Sequence, residues 1–537
     1  MAASSSSMFN GERAVVVLFV CRVLFSLPLS LLCHGLNLAF LSLFALLLDI
    51  RADISASSPP QFNTRQGASS GILLGAVTLP TLMISKLIQL TRAYSLHQIE
   101  LQELEHMTMQ YWATSASCFG VLMFICIVMW RAPKATHCRG SYTVWDLISL
   151  FCIISYALTC CVSLSAISLT GLNTALKLIW VLCHGLVAVK LLQQLVNTFP
   201  SCASIGEVLL VTAGLVLYFG DMLACTIAKV SSHLISTEII SVQYGIRRSE
   251  ISIIIQAKPL SALCLLDIAF ERVRLSNRVT GGRAEVLSRK RLQEPKFLDL
   301  AFGAALAIFL ALEIMRVLKV PTMGTKYSML FGYWEDTLQN IFSDKVWKLW
   351  PLGQLIHQFM NAFTDHRDSD LLIVSHFSLL LGCAFPIWMS NGFNDRPLAP
   401  FAGILSLGIG DTMVSVLNVD TLVHNCICPS VLYVKVYVQA SMVGYKYGVL
   451  RWSKTGKKTV EGTAAGIMSV LAACSILLPL LASTGYIVTE VSLSLSLSLC
   501  HWFSLILAVT VSGLLEAYTT QLDNAFIPLI FYSLLCL

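Results

Sequence analysis

The chain has 537 residues, of which 56% are hydrophobic and only 12% charged, and its mean hydropathy is +0.74. A soluble domain carries about twice that charged fraction, so a water-soluble globular protein is excluded and an integral membrane protein is expected. The formal net charge of +6 is local in origin: Arg272, Arg274, Arg278, Arg283, Arg289, Lys290 and Arg291 crowd one stretch, and Lys446, Arg451, Lys454, Lys457 and Lys458 another. The positive-inside rule puts both in the cytosol, and anionic headgroups account for them without any nucleic acid.

A spanning helix needs about 20 apolar residues. Runs of that kind recur near 14–48 (one or two helices), 71–91, 113–130, 143–170, 174–195 and 206–228. More follow near 297–318, 371–390, 399–417, 465–483, 501–515 and 517–536. The expectation is an all-α, polytopic membrane protein with roughly a dozen transmembrane helices, because the runs are continuous and do not alternate as barrel strands do. Arg22 interrupts the first run, which reads as a retained anchor. Most of the 18 cysteines lie inside apolar runs, where they act as small hydrophobes. Cys426 and Cys428 form a CxC with no second pair nearby, which argues against zinc.

Polar residues divide the chain. Residues 1–250 are expected to form an N-terminal multi-helix membrane region with a scaffold or lipid-contact role; its one polar connector of note is 92–111. Residues 251–296 read as a basic cytosolic linker. Residues 297–537 are expected to be a C-terminal catalytic membrane region, with Trp334, Trp347 and Trp350 at the interface.

Four motifs in that region carry chemistry. Asp365-His366-Arg367-Asp368-Ser369-Asp370, followed by His376, supplies the secondary candidates Arg367, Asp368 and His376. Gly408-Ile409-Gly410-Asp411-Thr412 puts a carboxylate inside an apolar run, an expensive placement that points to function. Gly408, Asp411, Thr412 and Ser415 would share one helix face. An intramembrane aspartyl protease also uses Gly-x-Gly-Asp, but needs a second aspartate deep in a preceding helix; Asp365, Asp368 and Asp370 all lie before the next span begins.

The third motif is a basic loop within 444–463, holding Arg451, Lys454, Thr455, Gly456, Lys457, Lys458, Thr459, Glu461, Gly462 and Thr463. Lysines, hydroxyls and glycines in one loop suit a polyphosphate. The Walker pattern fails, since Arg451 stands where its first glycine belongs. Glu461, at the start of the next helix, either ligates a metal or caps that helix. In the fourth, Glu516, Thr519, Thr520 and Asp523 follow i, i+3, i+4, i+7, so two carboxylates and two hydroxyls would share one helix face, with the carboxylates about 10 Å apart along the axis.

Taken in order, the motifs resemble the dolichol kinase family, its plant type in particular. The resemblance rests on Arg367-Asp368-Ser369-Asp370, Leu380-Leu381-Gly382 to Pro386-Ile387-Trp388, Gly410-Asp411-Thr412, Lys457-Lys458-Thr459-x-Glu461-Gly462-Thr463 and Leu515 to Asn524. It implies an endoplasmic reticulum enzyme that transfers the γ-phosphoryl group of CTP to dolichol or a related polyprenol, making the lipid carrier for protein glycosylation. It further implies a cytosolic CTP loop at 451–463, phosphates held by Lys457 and Lys458, and a divalent cation (Mg2+) or the alcohol held by Asp411 and Glu461. Glu516 and Asp523 complete the catalytic candidates. Departures from the family pattern fall at 289–293, 321–344, 419–442 and 492–497. Three alternatives stay open: a phytol-type prenyl alcohol kinase, a CDP-lipid-forming cytidylyltransferase, and a transporter or inactive membrane scaffold.

Overall fold

The computed structural model describes residues 10–55, 65, 69–99, 101–131, 144–165, 174–199, 202–234, 301–310, 313, 374–390, 395–411, 450, 452, 459–483 and 495–537. The linker 251–296 and the departures at 289–293, 321–344 and 419–442 lie outside them, as do residues 492–494 of the fourth.

The apolar run near 14–48 resolves into two helices. Helix α1 (Gly11–Phe25) ends just before Pro28, which lacks an N–H and cannot continue the ladder. Helix α2 (Leu32–Ser55) follows, then α3 (Ile72–Ser95), α4 (Leu101–Arg131), α5 (Val144–Ser165), α6 (Thr174–Thr198) and α7 (Ile205–Leu234). In the C-terminal region come α8 (Ala301–Leu310), α9 (Val374–Met389), a wide π-helical segment (Ile404–Asp411), α10 (Val460–Ser483), α11 (Leu495–Tyr518) and α12 (Asp523–Leu535). One backbone bond from Val460 to Leu450 at 2.8 Å closes the turn before α10.

The protein is thus an all-helical integral membrane protein, but the expected dozen spans are not reached. Among the described residues six helices are long and apolar enough to cross a bilayer: α2, α3, α4, α6, α7 and α10. Two of the expected runs are locally irregular. The run near 517–536 yields only the 13 residues of α12, because the chain breaks before Asp523. In the run near 399–417, residues 399–411 form not a regular α-helix but a short 3-10 turn leading into the π segment.

Helix α3 is the central element. Its most apolar 18-residue window is wholly buried, and it packs against α1, α2, α4, α7 and α12. Glycines permit the closest crossings: Gly75 faces the backbone of Gly206, and Gly206 faces the carbonyl of Gly71. Helices of the first 250 residues therefore lie directly on those of the last fifty. Ser85 in α3 shares a hydrogen bond of 2.6 Å with Ser533 in α12, and Arg92 donates to the carbonyls of Cys536 (2.8 Å) and Leu537 (3.0 Å). These pairs make α3 and α12 parallel.

That register sorts the helix ends. The starts of α1, α3, α7, α10 and α12 and the ends of α2 and α11 lie toward one side of the bundle, and Arg92, Asp395, Arg396 and Leu537 toward the other. The first side carries the chemistry.

Candidate active site

Helix α11 stops at Tyr518, and α12 begins at Asp523. The single polar face expected across Glu516, Thr519, Thr520 and Asp523 does not form. Glu516 sits in the last turn of α11 and Asp523 in the first residue of α12, with a four-residue break between them. Thr519 Oγ1 takes the Gln521 N–H at 3.1 Å, and the N-terminal half captures the other polar groups of the break. The Leu522 N–H donates to Glu207 Oε1 at 2.8 Å, leaving the helical ladder. Gln521 is fully buried; its Nε2 donates to the Ser69 carbonyl at 2.9 Å, and its Oε1 accepts from the Ser204 hydroxyl. Thr520 Oγ1 accepts the Ser69 N–H at 3.1 Å, and its carbonyl accepts from Arg65 at 3.3 Å.

The residues that hold the break are themselves tightly placed. Ser204 and Glu207 form a reciprocal capping box on α7: the Glu207 N–H donates to Ser204 Oγ at 3.2 Å, and the Ser204 N–H donates to Glu207 Oε2 at 2.8 Å. Arg65 pairs with Glu207 Oε1 at 2.7 Å. Gly71 has φ +62°, a left-handed conformation open to glycine, and packs on the Gln521 side chain. Asp49 from α2 accepts the first amide of α3 (Ile72 N–H, 3.0 Å), the Ser70 hydroxyl, and Arg13 Nε at 2.7 Å. Arg13 also pairs with Asp53. Glu12, ahead of the apolar part of α1, accepts from Ser69 at 3.2 Å. Burial, with the nearby Asp49 charge, pushes its carboxyl up from the ordinary 4.5 to about 7.

The basic loop meets this break through an aromatic contact. Trp452 packs edge-on against Tyr518, with ring centroids 5.0 Å apart, and its indole N–H donates to Thr463 Oγ1 at 3.0 Å. Thr459 caps the start of α10, its hydroxyl accepting the Gly462 N–H at 3.2 Å and its carbonyl the Thr463 hydroxyl at 3.1 Å. Both Glu461 oxygens accept the Leu450 N–H, at 3.1 and 3.3 Å, so this carboxylate clasps the loop at its root. Helices α10 and α11 run antiparallel, with Gly513 against Ile467 and Thr463. Glu516, one turn on from Gly513, is thereby carried to the level of Thr459 and Val460.

Asp411 ends the π segment, which packs on α10, α9 and α12. The segment starts beside Arg396, which donates to the Leu537 carbonyl at 2.8 Å, and its neighbour Gly403 abuts the backbone of Gly382. From there it runs toward the side where α10 and α12 begin. π turns are uncommon and concentrate at functional sites. Residues 404–411 take this wider winding, and Thr412 and Ser415 of the small polar face expected there lie outside the described residues.

Four candidates on three sequence motifs are therefore brought to one side: Asp411, Glu461, Glu516 and Asp523. Arg367, Asp368, Arg451, Lys454, Thr455, Gly456, Lys457 and Lys458 lie outside the described residues. His376 stands apart, against the ring of Phe309 at 5.8 Å. Sequence reasoning missed Glu12, Arg65, Ser204, Glu207 and Trp452. One signal was available, the Ser-x-x-Glu signature of the capping box at Ser204–Glu207.

The apolar helical bundle, with the root of the basic loop docked on the end of α11, defines a polytopic membrane protein. No family model matches the chain, and no solved structure matches it. Among curated proteins it is 46% identical to the dolichol kinase EVAN of Arabidopsis thaliana over 634 aligned positions covering all of both chains. It is 34% identical to a dolichol kinase of Homo sapiens over 201 positions (36% of this chain, 30% of that one), and 30% identical to the dolichol kinase sec59 of Schizosaccharomyces pombe over 245 (45% and 34%). The chain belongs to the dolichol kinase family.

Proposed function

We propose that this chain, a transferase that phosphorylates dolichol, takes the γ-phosphoryl group from CTP and works at the cytosolic face of the endoplasmic reticulum membrane, supplying dolichyl phosphate for protein glycosylation. The observation that carries the donor side is the docking of Trp452 on Tyr518, which joins the root of the basic loop to the end of α11 beside Glu516. Phosphoryl transfer is mostly positioning and charge neutralisation, and the loop provides cations where the helix ends provide carboxylates. Arg451, Lys454, Lys457 and Lys458 would neutralise the triphosphate, while Thr455, Gly456, Thr459, Gly462 and Thr463 offer hydroxyls and close backbone approach.

No three His, Cys, Asp or Glu residues cluster among the described residues. Mg2+ takes one or two carboxylates and draws its other ligands from substrate phosphates and water. In this reading Asp411 and Glu461 would hold the ion, which supplies charge neutralisation on the phosphates. Glu516 and Asp523, on either side of the break, would be the remaining catalytic carboxylates. The shorter apolar helices α8, α9, α11 and α12 also lie in the bilayer in this reading, bringing the span count toward a dozen.

Dolichol incubated in microsomes with γ-labelled or α-labelled CTP separates the enzymatic alternatives. Label in the lipid from γ-labelled CTP alone supports the kinase. Label from α-labelled CTP identifies a cytidylyltransferase, and faster labelling of phytol than of dolichol transfers the reading to short prenyl alcohols.

A further inference from the structure

We propose that Arg65 and Glu207, both from the N-terminal half, are positioning residues for phosphoryl transfer; this rests on the kinase reading above. Six residues separate the two carboxylates Glu516 and Asp523, four of them in the break 519–522, so the shape of that break sets where both point. Left to itself, the segment Leu515–Phe526 has no glycine or proline to interrupt it. Within the break Thr519 Oγ1 takes the Gln521 N–H at 3.1 Å, and from outside Glu207 and Arg65 hold the break toward both its ends. Glu207 Oε1 takes the Leu522 N–H at 2.8 Å, at the foot of α12. Arg65 bonds that same oxygen at 2.7 Å and reaches the Thr520 carbonyl at 3.3 Å, toward the end of α11.

The arrangement has features that packing alone does not require. A capping box uses one carboxylate oxygen of its glutamate, and Ser204 N–H occupies Oε2. The other oxygen is buried and directed at a backbone donor more than 300 residues away in sequence. Glu207 is 3% exposed, so its charge is held out of water, and Arg65 is what balances it. Burying a pair of this kind is costly and is a weak source of stability, whereas it fixes geometry well. The break also carries Tyr518 at its head, the ring on which Trp452 of the basic loop docks. A shift in the break therefore moves the two carboxylates relative to the loop.

The test uses the full-length chain in microsomes or detergent, with γ-labelled CTP, dolichol and Mg2+, comparing wild type with Arg65→Ala, Arg65→Lys, Glu207→Gln and Glu207→Ala. Rates are expressed per folded molecule from size-exclusion profiles, with melting temperatures recorded alongside. The expected result is at least a tenfold fall in kcat for Arg65→Ala and Glu207→Ala, with KM for CTP within about threefold of wild type. Arg65→Lys should recover most of the rate, and Glu207→Gln should fall between. Introducing Leu522→Cys in each background and following maleimide labelling of that peptide by mass spectrometry should show faster labelling in the two alanine variants. Unchanged kcat per folded molecule, or loss of rate only in step with loss of folded protein, overturns the positioning role and leaves the kinase reading intact. An inactive wild type overturns the kinase reading, and the positioning role with it.

Discussion

Glu12 shows how a single residue senses the joint between the two halves of the chain. Its carboxyl accepts from Ser69 and lies beside Asp49, and burial raises it to about 7 from 4.5. Between those values the folded protein binds a proton that the unfolded chain has already released, so stability falls as pH rises through the window and stays low above it. The stability difference between pH 4.5 and pH 8 is roughly 3 kcal/mol for a shift of that size. Glu12→Gln should flatten this dependence, and melting curves in detergent at pH 5 and pH 8 check it; an unchanged difference between the two pH values refutes the assignment. Trp452 makes a second residue-scale case. Trp452→Ala removes both the Tyr518 contact and the bond to Thr463, so KM for CTP should rise several-fold while the melting temperature moves little. Trp452→Phe keeps a ring but no N–H and should lie between. Initial-rate kinetics against CTP concentration decide, and an unaltered KM in the alanine variant separates the loop root from nucleotide binding.

At the scale of elements, the glycine contacts decide how closely α3 and α7 approach. A Cβ on Gly206 would fall inside contact distance of the Gly71 carbonyl, which is backbone and has little room to give. Gly206→Val should cost about 3 kcal/mol or more by overpacking and also displace Glu207, the next residue. Size-exclusion chromatography of the variant should show aggregated or misfolded protein; a normal profile with normal activity contradicts the crossing. The helices themselves were legible in the sequence because hydropathy over some 20 residues is a local property, and α2, α3, α4, α6, α7 and α10 each carry it. The break at 519–522 was not legible. Its residues continue the i, i+3, i+4, i+7 pattern of a helix, and what holds the break open is Glu207, Arg65, Ser69 and Ser204, hundreds of residues away, together with the local bond from the Gln521 N–H to Thr519 Oγ1. The π winding before Asp411 was hidden for a related reason: hydropathy does not distinguish it from an α-helix, and the segment packs on α9, α10 and α12 from distant parts of the chain.

For the whole molecule, the C-terminal motifs were readable in their order, while their dependence on the first half was not. Composition marks residues 1–250 as apolar helices and nothing more. Yet α3 from that half is the central helix of the fold, and its first turn, with the starts of α1 and α7, frames the break between Glu516 and Asp523. Neighbours in space cannot be inferred from hydropathy, which fixes depth in the membrane but not which helices touch. The Arabidopsis relative matches over the full length of the chain, both halves included.

The central claim is that Asp411, at the end of the π segment, acts with the basic loop in transfer from CTP to dolichol. Its most direct test is the rate of labelled dolichyl phosphate formation from γ-labelled CTP by Asp411→Asn beside wild type, at equal amounts of folded protein. A transition-state contact of this kind is worth about 3 kcal/mol, so the rate should fall by at least a hundredfold with the chromatographic profile unchanged. Equal rates in the two proteins would contradict it.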